Sequence, residues 1–447
     1  MAATPFHILT KPIGPICNLD CSYCFYLEKE TLYPGTSQWS MSPEVLDRYI
    51  QQYIQQQDTS TINFAWQGGE PTLLGIDYFR QVFALQQKYA EGKQITNAFQ
   101  TNGVLLNDAW GELFAKNRVL VGISIDGPRR LHDRYRVDKG GQPTFDRVFR
   151  GIHFLKKHAV EFNTLTTVHA GNVGHPLEVY DFLRRSGSGF IQFIPIAERA
   201  AVSPVSELKL VSPRNSSPAD VTPWSVDPAA YGEFLCAIFD EWILNDVGQI
   251  FVQLFDVSLE MWVGMQSSLC VFRPTCGSAL AIEHNGDVYS CDHFVYPENR
   301  LGNIMEKNLR AMVDSPQQQQ FGQEKATTLP NYCRECEVRF ACNGECPKHR
   351  FATTPDGEPG LNYLCAAYKR FFTHVDPAMK LMADELAHSR PAANVMTYLR
   401  AQRAQATRSA PIPLNAPCPC GSGQKFKRCC GSGKAGSRPH RISSKMS

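Results

Sequence analysis

The run HILTKPIGPICNLDCSYC (residues 7–24) places a short apolar strand, HILTKP (7–12), directly before three cysteines, Cys17, Cys21 and Cys24. Five more β-rich runs follow: TINFAWQ (61–67), ITNAFQT (95–101), VLVGISI (119–125), FNTLTTVH (162–169) and FIQFIPI (190–196). Amphipathic stretches lie between them, among them PEVLDRYIQQYIQQQ (43–57), IDYFRQVFALQQKYA (76–90) and FDRVFRGIHFLKKHA (145–159). Such strand–helix alternation makes a parallel α/β sheet, either doubly wound or a partial barrel. Both arrangements put their chemistry at the carboxyl ends of the strands. The first cysteines therefore stand where a catalytic loop belongs.

The whole chain bounds the alternatives. Its 447 residues and 43% hydrophobic content exclude a disulfide-stapled miniprotein and wholesale disorder. No apolar run approaches the roughly 20 residues that cross a bilayer, and the start lacks the pattern of a secretory signal. A cytoplasmic protein without membrane contact is the expectation, and there the 16 cysteines point to metal or redox chemistry rather than disulfides. Lys+Arg total 45 and Asp+Glu 43, but all acidic residues lie at or before Glu385 and 11 Lys/Arg follow it. The first 385 positions thus carry a net charge of −9, which suits general nucleic-acid binding poorly.

Cys17-x3-Cys21-x2-Cys24, with Tyr23 before the last thiol, can ligate three irons of a [4Fe–4S] cube and leave the fourth open. Three ligands of a zinc site completed elsewhere is the competing reading. The second strand ends in Gln67-Gly68-Gly69-Glu70-Pro71, where glycines permit close backbone approach and a carboxylate can receive an amino group. GGEP beside CxxxCxxC resembles the amino-group motif of the radical S-adenosylmethionine (SAM) superfamily. That resemblance implies a partial (β/α)6 barrel in which SAM binds the open iron and yields a 5′-deoxyadenosyl radical. It also implies SAM contacts from Tyr23, Gly68, Gly69 and Glu70, from Ser124 to the ribose, from Arg136 to the carboxylate and from the backbone of Ala197 to the adenine.

A second block runs Cys270-x5-Cys276-x14-Cys291, then Cys333-x2-Cys336-x5-Cys342-x3-Cys346 and Cys365. Eight thiols suffice for two cubes or two tetrahedral zincs. Order and spacing resemble the SPASM domain, which implies one auxiliary [4Fe–4S] cluster on Cys270, Cys276, Cys291 and Cys346 and another on Cys333, Cys336, Cys342 and Cys365. Beside Cys291 stand Asp292 and His293, either of which can take a proton while a cluster takes an electron.

Across about residues 5–376 the chain resembles the anaerobic sulfatase-maturating enzymes, through CNLDCSYCFY (17–26), FAWQGGEPTL (64–73), QTNG (100–103), GISIDGP (122–128), NGDVYSCDHFVYPENRLGNI (285–304), FACNGECPKHR (340–350) and LNYLCAAYKRFF (361–372). The resemblance implies oxidation of a Cys or Ser in an unfolded or nascent sulfatase to Cα-formylglycine. The radical would take hydrogen from Cβ, Asp292 the thiol or hydroxyl proton, and an auxiliary cluster the electron. A flavodoxin or ferredoxin would supply reducing electrons. Another SPASM peptide maturase, forming thioethers or crosslinks, and a non-catalytic multi-zinc interaction protein are the alternatives.

The chain end reads Cys418-Pro-Cys420-Gly-Ser-Gly-x4-Arg428-Cys429-Cys430 and resembles the SEC-C motif. Four thiolates in so short a segment can enclose one tetrahedral Zn²⁺, and the surrounding cations leave protein docking, ribosomal-RNA contact or a purely structural knob open. Cys236, within an apolar helical pattern, reads as a core residue. The expected organisation is a barrel domain over 1–228, with a Pro/Ser-rich loop at 201–228; a helical connection and SPASM domain over 229–376; a helix and linker over 377–416; the small zinc-binding tail at 417–433; and a basic end at 434–447.

Overall fold

The computed structural model describes residues 5–202, 208–214, 219–409 and 413–432. All six expected strands form: β1 (His7–Lys11), β2 (Thr61–Trp66), β3 (Gln94–Thr101), β4 (Leu120–Ser124), β5 (Phe162–Val168) and β6 (Phe190–Pro195). They pair in parallel in sequence order, each pair joined by a crossover that includes a helix. Side chains cap the starts of the helices Pro43–Gln55 and Asp108–Lys116. Ser42 accepts a hydrogen bond from the Val45 amide ahead of Pro43, and Asn107 accepts one from the Trp110 amide. Between the sheet and its outer helices lies an aromatic core of Tyr49, Phe64, Trp66, Phe79, Phe99 and Phe114, all buried to within a percent or so. Tilted and edge-on ring pairs connect these side chains, as at Phe79–Phe99 with centroids 4.9 Å apart.

The region expected to be a loop at 201–228 is partly structured. Strands β7 (Arg199–Val202), β8 (Leu208–Leu210) and β9 (Asp220–Val221) form a small antiparallel sheet, while residues 203–207 and 215–218 lie outside the described residues. The Leu210 amide donates to the Glu28 carboxylate, Ser212 to Glu298 and Arg214 to Glu324. These anchors come from side chains distant in sequence and leave no local signal.

The expected helical connection after residue 228 is interrupted. Helix Pro228–Asn245 ends before β10 (Phe251–Val252), which joins the free edge of β6, and helix Gln253–Trp262 follows. Cys236 is buried in the first of these helices, as expected. The larger surprise is β11 (Ala279–Glu283), which pairs in parallel with β1 from His7 opposite Ala279 to Lys11 opposite Glu283. With β12 (Asp287–Tyr289) and β13 (Arg300–Asn303) it extends the barrel sheet to ten strands, so the sheet runs straight across the expected boundary at 228. The boundary at 376 falls inside one helix, Cys365–Ala387, which runs through Pro377. Phe371, Phe372 and Val375 before the proline and Met379 and Met382 after it are all buried, and this packing outweighs the lost backbone bond. Within the expected helix and linker at 377–416, helix Asn394–Ser409 carries helical structure as far as Ser409.

The chain divides into two compact units, residues 1–395 and 396–447. No helix among the described residues is long and apolar enough to cross a membrane.

Candidate active site and cysteine centres

The loop that follows β1 is locked by the loop that follows β2. The Gln67 amide donates to the Thr10 carbonyl, Gly69 to Gly14 (2.7 Å) and Glu70 to Ile16 (2.8 Å). A Cβ on Gly69 would lie 1.9 Å from the Ile16 carbonyl oxygen, and Gly68 holds a φ of +131°. The glycines therefore answer first to the chain's own backbone beside Cys17. Glu70, fully buried, ties in β3: its Oε1 accepts from Thr72 and from Thr101 Oγ1, and its Oε2 from the Asn102 amide at 2.7 Å. Three acceptances saturate Oε1, and Oε2 keeps a lone pair for a further donor. Asn102 Nδ2 donates to Asn18 and lies 3.7 Å from Cys17 Sγ.

The other side of the cysteine loop is fixed by a carboxylate absent from the expected site. Asp126, just past β4, is fully buried; its Oδ2 accepts from Tyr23 Oη (2.5 Å) and Arg136 Nε (2.9 Å), and its Oδ1 from the Thr167 amide (3.0 Å). Burial opposes its charge, but the Arg136 guanidinium holds its carboxyl well below the usual range. Ser124 Oγ, at the end of β4, accepts from Gln100 Nε2 at 3.0 Å, and Ala197 is buried just past β6. Cys17, Cys21 and Cys24 lie close enough that charge on one disfavours charge on another. Burial, then the neighbouring Glu70, pushes the Cys17 thiol up to about 12. Ionising such thiols takes a bound cation, which suits a metal cluster.

Asp292 begins a short turn after Cys291, and its Oδ1 lies 2.6 Å from Lys11 Nζ at the carboxyl end of β1. Burial opposes the Asp292 charge, and the ammonium overrides it to hold the carboxyl below its usual range. Lys11 Nζ also lies 3.4 Å from Gln67 Oε1 and 4.2 Å from the Tyr26 ring centroid, while the Tyr26 hydroxyl donates to the buried Glu283. His293 behaves differently. Its Nδ1 lies 3.4 Å from Cys346 Sγ, and burial, then the Lys348 charge, pulls it down to about 3. Lys11 and Asp126 were not among the expected residues; their only sequence signal is a charged side chain at the end of an apolar run. A largely apolar cavity is lined by Phe25, Ile194, Tyr231, His293, Lys348 and Tyr368.

The later cysteines gather from separate elements. Cys291 is raised by burial and by neighbouring Cys270 and Cys276, and Cys346 by burial, with Cys291 and Cys276 among its neighbours. Burial pushes Cys342 up to about 12, with Cys365 and Cys333 adding to it, and Cys365 up to about 11, with Cys333 and Cys336 adding. Lys325 Nζ donates to the carbonyls of Cys270 and Val271, and Arg350 Nη1 to that of Lys325, so cations flank the thiols. In the second unit, Cys418, Cys420, Cys429 and Cys430 have sulfurs within 4.8 Å of one another, the only such group among the described residues. Bonds of about 2.3 Å to one tetrahedral ion need that compactness, whereas a cube needs its thiols farther apart.

Three family models match: the Radical SAM superfamily over residues 12–183, the SPASM iron–sulfur cluster-binding domain over 270–337 and the SEC-C motif over 415–432. The serine-type anaerobic sulfatase-maturating enzyme of Bacteroides thetaiotaomicron is 46% identical over 398 residues, covering 89% of this chain and 96% of the relative. The cysteine-type enzyme of Clostridium perfringens (strain 13 / Type A) is 31% identical over 386 residues, covering 86% and 99%. The solved structure of native anSMEcpe with bound AdoMet and Kp18Cys peptide superimposes with a TM-score of 0.75 at 31% identity, covering 86% of this chain and all of that one. With the barrel, the cysteine centres and these relatives in agreement, the chain belongs to the anaerobic sulfatase-maturating enzymes of the radical SAM superfamily.

Proposed function

We propose that this enzyme oxidises a serine, and less readily a cysteine, of an unfolded sulfatase segment to Cα-formylglycine. The observation that carries the reading is the buried carboxylate of Asp292, paired with Lys11 and adjacent to Cys291. The 46% identity to a serine-type relative, against 31% to a cysteine-type one, supports serine as the preferred target. When bound, SAM and the clusters supply hydrogen-abstracting radical chemistry and electron acceptors.

The chain's own residues supply the rest. Cys17, Cys21 and Cys24 hold the SAM-binding cluster. The Gly68–Gly69 backbone and Glu70 receive the amino group of SAM, Arg136 its carboxylate, Ser124 its ribose and Ala197 its adenine, while Tyr23 braces the loop. Two quartets hold the auxiliary clusters, Cys270, Cys276, Cys291 and Cys346 for one and Cys333, Cys336, Cys342 and Cys365 for the other. Asp292 takes the hydroxyl or thiol proton as a hydrogen atom leaves Cβ, and an auxiliary cluster held by these cysteines would accept the remaining electron. Serine then gives the aldehyde directly; cysteine gives a thioaldehyde that water hydrolyses.

Cys418, Cys420, Cys429 and Cys430 would hold one zinc, in a tail that serves either to dock a protein or ribosomal RNA or as a purely structural knob. A flavodoxin or ferredoxin delivers electrons, in a cytoplasm that keeps the thiols reduced. Anaerobic incubation with SAM, a reductant and paired sulfatase peptides, with serine or cysteine at the target position, tests the reading by mass. Loss of one H₂ from the serine peptide supports it. An unmodified serine peptide alongside a converted cysteine peptide reverses the preference, and neither peptide converted overturns it.

A further inference from the structure

We propose that Asp126 is a positioning residue that fixes the SAM-gripping arginine to the cysteine loop. The proposal rests on the reading that Cys17, Cys21 and Cys24 hold the SAM-binding cluster and that Arg136 grips the carboxylate of SAM. Asp126 is fully buried and gathers donors from three separate segments: Tyr23 from the cysteine loop, Arg136 from the loop after β4, and the Thr167 amide from the end of β5. Its backbone is held as firmly, with its amide directed to His132 Nδ1 (3.3 Å) and its carbonyl accepting from Asn172 (3.2 Å). His169 Nε2, buried and without a hydrogen-bond partner among the described residues, lies 3.7 Å from Oδ2, and the His169 ring stacks on Tyr23 with centroids 5.5 Å apart.

The two clamped segments also run side by side. The Asp20 amide donates to the Val137 carbonyl (2.9 Å) and the Ser22 amide to that of Tyr135 (3.2 Å). Backbone pairing sets how close the cysteine loop and the Arg136 segment lie; the carboxylate sets the direction of the side chains. Asp126 holds the guanidinium through Nε, and Nη2 reaches Thr167 Oγ1 at 3.4 Å. Both Tyr23, between two of the loop cysteines, and Arg136 meet on the same oxygen, Oδ2, and the Arg136 guanidinium lies over the Tyr23 ring at 5.5 Å. A shift of the loop is thereby transmitted to the arginine, and the reverse. Charge-assisted bonds of this kind, in a site closed to water, are the means by which a buried carboxylate fixes geometry.

The test uses the full chain with reconstituted clusters and reads SAM binding rather than turnover. Asp126→Asn keeps the side-chain volume and removes the charge. It is expected to retain the wild-type iron content while SAM affinity falls about tenfold, the scale of one charge-assisted hydrogen bond. The change that SAM induces in the electron paramagnetic resonance of the reduced N-terminal cluster is expected to shrink with it. Tyr23→Phe removes one arm of the clamp and is expected to show a smaller loss in the same direction; should Asp126→Asn fail to hold iron, this variant decides. Wild-type affinity and spectrum in these variants, with binding lost in Arg136→Ala, overturn the proposal and leave the underlying reading standing. Unimpaired SAM binding in Arg136→Ala overturns the reading of Arg136 and the proposal with it.

Discussion

Lys11 Nζ sits 2.6 Å from Asp292 Oδ1, joining the end of the first barrel strand to the loop beside the cysteine-rich centre. The Lys11 side chain is 4% exposed and that of Asp292 15%, so the pair is largely removed from solvent. Deleting one partner of such a pair strands a buried charge, at a cost of about 3–5 kcal/mol. In Lys11→Met, 5′-deoxyadenosine is expected to form still, while the yield of aldehyde per 5′-deoxyadenosine falls about tenfold or more. Asp292→Asn is expected to uncouple the products in the same way. Chromatography of the nucleoside beside mass analysis of the peptide checks both, and unchanged coupling in either variant contradicts the assigned role.

Gly69→Ala offers a sharper local test. The new Cβ would stand 1.9 Å from the Ile16 carbonyl oxygen, backbone that cannot swing aside as a flexible side chain does. The loop carrying Cys17 must move. We expect loss of SAM binding and of one cube's worth of iron, with the auxiliary iron retained, as read by iron analysis and electron paramagnetic resonance.

Much of this was legible in the sequence, and the exceptions share a cause. The β1–β6 runs announce themselves because apolar residues and crossover helices alternate locally. The cysteine spacings are equally local. The pairing of His7–Lys11 with Ala279–Glu283 leaves no local trace, because its partners are distant in sequence. Lys11 reads as an ordinary strand residue until β11 and the turn after Cys291 bring Asp292 to it. Asp126 lies in a DG pair that reads as turn chemistry, and only its complete burial shows it to be a hub. The helix through Pro377 was hidden for another reason: packing on both sides overrides a residue that ordinarily ends helices.

Acid is expected to weaken the fold through Asp126. Its folded-state pKa lies below its unfolded value, so its stabilisation is complete above the unfolded pKa and fades as pH falls toward the folded one. Thermal unfolding followed by circular dichroism is expected to show a midpoint falling below about pH 4, and a shallower fall in Asp126→Asn. Equal slopes in the two proteins would contradict that assignment.

The tail is expected to be dispensable for the chemistry, since every residue assigned to the reaction lies within residues 1–395. A chain ending at Val395 should bind iron and oxidise a short peptide as the full chain does, and lack the zinc. Cys429→Ser in the full chain should release zinc and leave the iron unchanged. Metal analysis of both, with peptide mass, decides; a truncated chain unable to convert the peptide would place part of the site in the tail.

The most direct test of the account follows one hydrogen. A sulfatase peptide carrying serine deuterated at Cβ, incubated anaerobically with SAM and reductant, is predicted to yield formylglycine together with 5′-deoxyadenosine that has gained deuterium. Aldehyde accompanied by unlabelled 5′-deoxyadenosine, or labelled nucleoside accompanied by a crosslinked peptide, would contradict it.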